Sequence, residues 1–141
     1  MSERNVELTR RVVEAFNARD IEAIIAYCDP SIEYHSVLAG AVGTIYFGHD
    51  GLRAWHRDFE EVWSDDIRLE PEAYFDLGEH TLAFFVFGGR GQRSGVEVAM
   101  PTANVARWRD GLLAYFKAYA QRKDALSDLR VSEDQLERIE P

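Results

Sequence analysis

Cysteine occurs once in this chain, at Cys28, so no internal disulfide can form and a thiol-based zinc site has no second sulfur to draw on. The expectation for Cys28 is a small apolar group packed in the core. Positive charge is also short, with 16 Lys and Arg against 25 Asp and Glu and a net charge of −9. Such a field repels phosphate backbones and anionic bilayers, and the arginines form no block, so neither nucleic acid nor a membrane is expected as a partner. Long apolar runs are missing too. Nothing spans a bilayer, and the opening MSERNVELTRR has no signal-peptide core, which makes the cytoplasm the expected location. Phosphate-loop and nucleophile-elbow motifs are absent. The glycine-rich GGRGQRSG lacks the GxGxxG spacing and joins two strands, so it reads as a hairpin connection.

What is present is ordinary globular material: 141 residues, 46% hydrophobic and 29% charged, with a somewhat rich aromatic share of 12%. This length suits one domain, residues 1–141, with a core over about 6–126 and a charged tail over 127–141. Val6, Leu8, Val12, Val13 and Phe16 make the apolar stripe of a first helix. Asp20 caps a short second helix bearing Ile21, Ile24, Ile25 and Cys28, which Pro30 is expected to end. SIEYHSV then alternates as a strand, followed by a loop with Gly40, Gly43 and Gly48. A third helix, HDGLRAWHRDFEEVW, puts Leu52, Trp55, Phe59, Val62 and Trp63 on one face, with His56 at its edge.

From Arg68 onward the period becomes two. The strands RLEPEAYF, HTLAFFVFG and VEVAMPTANVARWR precede a turn at Asp110–Gly111 and a last strand, LLAYFKAYA. Pro101 predicts a bulge or bend in the long strand, and the tail either forms one or two short helices or frays. Helices followed by strands give an α+β class: three N-terminal helices against a strongly curved, mainly antiparallel sheet, a cone with an apolar interior.

The order of ARDIEAIIAYCDPSIEYHS, GHDGLRAW, SGVEV and NVARWRDG resembles the SnoaL-like branch of the nuclear-transport-factor-2-like superfamily, over roughly Val6 to Leu126. The resemblance implies a ketosteroid-isomerase-like, cystatin-like cone, a homodimer paired through its sheet, and a pocket serving isomerases, cyclases, dehydratases or noncatalytic binders. A ketosteroid isomerase needs a carboxylate base and two oxyanion donors. By that resemblance the base falls on Ser36, or on His35 after a one-residue slip, the acid donor on Asn104, and the tyrosine on Val12. A steroid isomerase of the usual type is therefore not expected.

The candidate catalytic residues are His35, His56 and Asn104. An imidazole can serve as general base near neutral pH, and an amide can donate to an oxyanion without any tuning. Alternation places Ser36 with Ile32 and Tyr34, and His35 on the opposite face, so the register of this strand decides which one meets the pocket. Tyr34, Ser36, Trp55, Phe59, Trp63 and Thr102 are the expected ligand-binding residues, favouring a small apolar molecule. No metal site and no cofactor are expected. Three functions stay open: a cofactor-independent isomerase, cyclase or hydratase acting on an apolar carbonyl or polycyclic compound; a noncatalytic binder; and an interaction module. A homodimer is expected because a sheet face carrying Tyr115 and Tyr119 would be poorly solvated alone.

Overall fold

The structure, a computed structural model, describes residues 2–37 and 44–141. The first helix, α1 (Ser2–Asn17), buries Val6, Leu8 and Val13, the stripe read from its spacing. Arg19, in the left-handed region at φ 60°, turns the chain into α2 (Ile21–Ala26). Asp20 caps that helix, its side chain accepting from the Ala23 N–H at 3.1 Å. Strand β1 (Cys28–His35) follows, then β2 (Ile45–Phe47) and α3 (Gly48–Val62), which buries Leu52, Trp55 and Phe59. The strands β3 (Arg68–Leu77), β4 (His80–Arg90), β5 (Glu97–Arg109) and β6 (Leu112–Tyr119) complete the sheet, and α4 (Arg122–Leu129) packs onto it, followed by one 3-10 turn at Glu133–Gln135.

The six strands lie in the order β2-β1-β6-β5-β4-β3. All neighbours are antiparallel except β1 and β6, as the helix-rich crossover between them allows. Asp110 and Gly111, at φ 53° and 77°, make the tight turn that pairs Arg109 with Leu112. Register shifts between Pro71 and Ala73 and between Arg107 and Trp108 bend the sheet around α1 and α3. The architecture is the curved α+β cone expected, with a fourth helix.

Several local expectations are corrected. Pro30 does not end α2. The helix stops at Tyr27, whose N–H bonds to Ile24 O at 3.0 Å, and Pro30 lies within β1, in the stretch where the pairing with β6 shifts register. Pro101 makes no bulge. It pairs with Val86 in unbroken β4–β5 register, beyond the last β5–β6 partner pair at Ala103 and Tyr119, so its missing N–H costs no ladder bond. The expected glycine loop gives way to β2 before Gly48; Gly40 and Gly43 lie outside the described residues. GGRGQRSG does connect β4 to β5.

The inner face of the sheet is covered by helices, and the outer face is covered over its β3, β4 and β5 half. Inside lies the main core, where Ile32, Tyr74, Phe85, Phe87 and Trp108 meet α1, α2 and α3. Outside, Phe75, Leu82, Phe84, Ala103 and Val105 pack under Ala125, Leu126 and Leu129 of α4 and under Leu136. Arg122 anchors this cover: its guanidinium donates to Thr102 O (3.2 Å) and Phe85 O (2.8 Å), pairs with Glu72, and lies 4.7 Å from the Phe84 ring centre. Ile139 then exchanges two backbone bonds with Tyr74 along the edge of β3.

Candidate functional site

Alternation and register build a hollow on the inner face. Thr81, Ala83 and Phe85 of β4 point inward and face Ala106, Asn104 and Thr102 of β5, respectively. Asn104 in turn faces Ala118 of β6. Alanines at 83, 106 and 118 stand where large side chains would fill the cone. The space left is about 70 Å³ for the centre of a water-sized sphere, bounded by Val12, Phe16, Tyr34, Trp55, Trp108 and Phe116 among others. A further 30 Å³ shares Phe16, Tyr34, Trp55, Leu69 and Asn104 with it and extends to Thr102 and Phe59. One wall is aromatic. The Tyr34 ring lies 5.0 Å from Trp55 and 5.2 Å from Phe116, the latter edge-on at 89°.

The lining is apolar with a few placed polar groups. Thr81 Oγ1, Thr102 Oγ1 and Trp108 Nε1 are buried and have no hydrogen-bond partner among the described residues. Each such group costs about 1–3 kcal/mol while unsatisfied, so three along one cavity is a concentration that a packed core would avoid. Asn104 is only 7% exposed and lines both parts of the space. Thr9, by contrast, is satisfied by donating to Asn5 O at 2.8 Å.

No group in the described lining is set to exchange a proton near neutral pH. Burial pushes the Cys28 thiol up to about 12, with Asp29 nearby adding to the shift. The Tyr34 phenol is driven well above its ordinary value by burial and then by Tyr46. Tyr34 is therefore a neutral donor here, and Cys28 an inert thiol that also donates to Ile24 O at 3.3 Å.

The expected residues divide. Tyr34, Trp55 and Asn104 come together around the main cavity, with Phe59 and Thr102 at its extension. His35 does not join them. It lies on the outer face, paired with Glu33 and 5.1 Å from the Tyr115 ring. His56 borders a separate small crevice between Ile21, Ile24 and Trp55, with Nδ1 3.5 Å from Glu60. Ser36 is buried but outside the cavity lining, its N–H bonded to Thr44 O at 3.3 Å. Trp63 stacks edge-on against Phe87 at 5.0 Å and borders a surface hollow with Arg19 and Gln92. Sequence reasoning missed Thr81 and gave Trp108 no role. Alternation in HTLAFFVFG, set in register through the long strand, carried that signal.

Comparisons with known proteins fit this geometry. A family model described as a SnoaL-like domain matches residues 9–116. Among curated proteins none matches significantly. A nuclear-transport-factor-2-like protein of unknown function from Burkholderia pseudomallei superposes with a TM-score of 0.74 at 20% identity, over 88% of this chain and 95% of that one. TerC, co-crystallised with polyporic acid, gives 0.72 at 21%, over 89% and 97%. A protein provisionally named a polyketide cyclase from Xanthomonas campestris gives 0.72 at 16%, over 89% and 96%. At these identities the likeness shows the fold.

Proposed function

The chain belongs to the SnoaL-like domain family, and from that premise we propose that it takes a small, apolar carbonyl or compact ring compound into the inner cavity and acts there as a cofactor-independent isomerase or cyclase. The observation that carries this reading is the hollow itself: alanines at 83, 106 and 118 keep open a space that Thr81, Thr102, Asn104 and Trp108 help to line. Chemistry in such a site is orientation and polarisation. The Asn104 amide donates to an oxygen on which charge develops, while Tyr34, Trp55 and Phe116 hold the ring system against one wall. TerC co-crystallised with polyporic acid, and a neighbour provisionally named a polyketide cyclase, support a small-molecule site in this fold.

A second reading has its own support. The described lining contains no carboxylate, imidazole or amine to serve as general base, which favours a noncatalytic binder of the same ligands. A thermal-shift panel of neutral ketones, aromatic ring compounds and fatty acids tests the pocket, followed by product analysis for each hit. A ligand at a hundredfold its dissociation constant adds about 2.7 kcal/mol, a shift of several degrees. Product formation lost in Asn104→Ala selects the enzyme; binding without turnover selects the binder; no shift across the panel removes both.

The proposed protein is cytoplasmic and homodimeric. Among the described residues no helix is long and apolar enough to cross a membrane. Tyr119 is covered by α4, donating to Asp128 at 2.8 Å, so the surface for pairing is the other half of the outer face. Ile45 and Phe47 stand there 41% and 63% exposed, beside Glu33, His35 and Tyr115. Phe47→Glu is expected to shift the sedimentation coefficient from dimer to monomer, and an unchanged monomer in the unaltered protein would remove this part of the proposal.

A further inference from the structure

Resting on the cavity as a small-molecule site, the polar atoms at its closed end say which molecules it takes. Along the inner face the lining falls into two stations. Asn104 and Thr102 mark one; Trp108 lies four residues further along β5, roughly 13 Å of strand. The Trp108 backbone N–H donates to Glu79 O at 3.0 Å, which sets Trp108 diagonal to Thr81 on the same face. Beside Trp108 the buried Leu113 and Cys28 shut this end, whereas Tyr34, Phe116 and Ala118 toward the other end remain partly exposed. A ligand reaching the closed end loses its water there.

Trp108 is 5% exposed and Thr81 1%, and neither Nε1 nor Oγ1 has a partner among the described residues. An indole nitrogen only donates, so what completes it must accept. The hydroxyl beside it donates or accepts as required. Thr9, the other threonine of the main cavity's lining, is already committed to Asn5 O. No arginine, lysine or histidine lines the described cavity, so a carboxylate or phosphate seated here would be a buried charge without a counter-charge.

We infer that Trp108 and Thr81 form a receptor for a neutral acceptor oxygen, such as a ketone or quinone carbonyl, at the inner end of the ligand, and that they set the protein's preference for such compounds over hydrocarbons and acids. A hydrocarbon of the same shape leaves both groups unsatisfied, and an acid adds an uncompensated charge. Orientation follows as well. With the carbonyl fixed at the closed end, the rest of the ring system extends past Ala106 toward Asn104, where a second oxygen meets the amide.

Calorimetry with 2-tetralone, tetralin and 2-naphthoate, on the unaltered protein and on Thr81→Val and Trp108→Phe, tests this. The ketone should bind about ten- to a hundredfold more tightly than the hydrocarbon, with the acid weakest. Each variant should erase most of the ketone's advantage while changing tetralin affinity less than about threefold. In nitrogen-edited spectra the indole signal missing from Trp108→Phe should move with 2-tetralone and stay still with tetralin. Thr81→Val is nearly isosteric, so it decides the matter should Trp108→Phe fold poorly. Equal binding of ketone and hydrocarbon, or a preference that survives Thr81→Val with no movement of the Trp108 signal, overturns the receptor while leaving the cavity as a binding site. Failure of all three probes to bind overturns the cavity reading and this inference with it.

Discussion

The two sides of β4 and β5 come from the same residues read alternately, yet they are finished in opposite ways. Outward, Leu82, Phe84, Ala103 and Val105 are sealed beneath α4, and the polar groups nearby are used: Arg122 takes two backbone carbonyls and Tyr119 takes Asp128. Inward, Thr81, Asn104 and Trp108 line open space, and two of these three carry polar atoms with no partner among the described residues. One side is optimised for holding the sheet. The other carries unsatisfied polarity that a purely structural core would have removed, and that difference marks where a ligand belongs.

Four substitutions sharpen the contrast, beginning with the largest effect. Phe84→Ala on the sealed side removes a side chain 2% exposed that Arg122 covers, and should cost about 3–5 kcal/mol in a urea titration. Ligand affinity of the molecules that still fold should be unchanged. Ala106→Leu on the open side should behave in reverse. Its extra carbons enter existing space, so stability should hold within about 1.5 kcal/mol. The roughly 2.7 kcal/mol that ligand adds at a hundredfold its dissociation constant should vanish from thermal melts.

Smaller effects carry sharper signs. Thr81→Val replaces an unpartnered hydroxyl by a methyl of the same shape, so the ligand-free protein should become more stable by about 1 kcal/mol. A loss of stability instead would mean that the hydroxyl is already satisfied. Tyr74, 1% exposed, has its phenol pushed up to about 12 by burial, which the nearby Arg10 only partly offsets. The unfolded chain ionises this group near its ordinary value, about 10. Its contribution is therefore complete below that pH and is lost as the pH rises from there through the folded value. By pH 11 the loss is about 1 kcal/mol, and Tyr74→Phe should flatten that part of the alkaline unfolding curve.

The elements of the fold were legible where one period dominated. The stripe Val6, Val13, the face Leu52, Trp55, Phe59 and the Asp110–Gly111 turn all stand where spacing put them. Pro30 misled because α2 had already stopped at Tyr27, and Pro101 because it lies beyond the last β5–β6 pair, neither of which local sequence states. The candidate site was legible in part. Tyr34, Trp55 and Asn104 meet at the cavity, whereas His35 and His56, chosen for their chemistry, face elsewhere. Residue type alone drew attention to the histidines; alternation along β1 had already placed His35 opposite Tyr34.

By itself the sequence determined the class of the fold and the faces on which each strand's residues lie, because hydrophobic periodicity and turn chemistry act over short distances. Only the tertiary structure decided that three alanines from three strands coincide to leave a hollow, that Thr81 and Trp108 line the same cavity, and that the tail covers the opposite side. Those are facts of register between segments far apart in the chain. Register depends on where bulges fall and on what packs against the sheet, which no local pattern encodes.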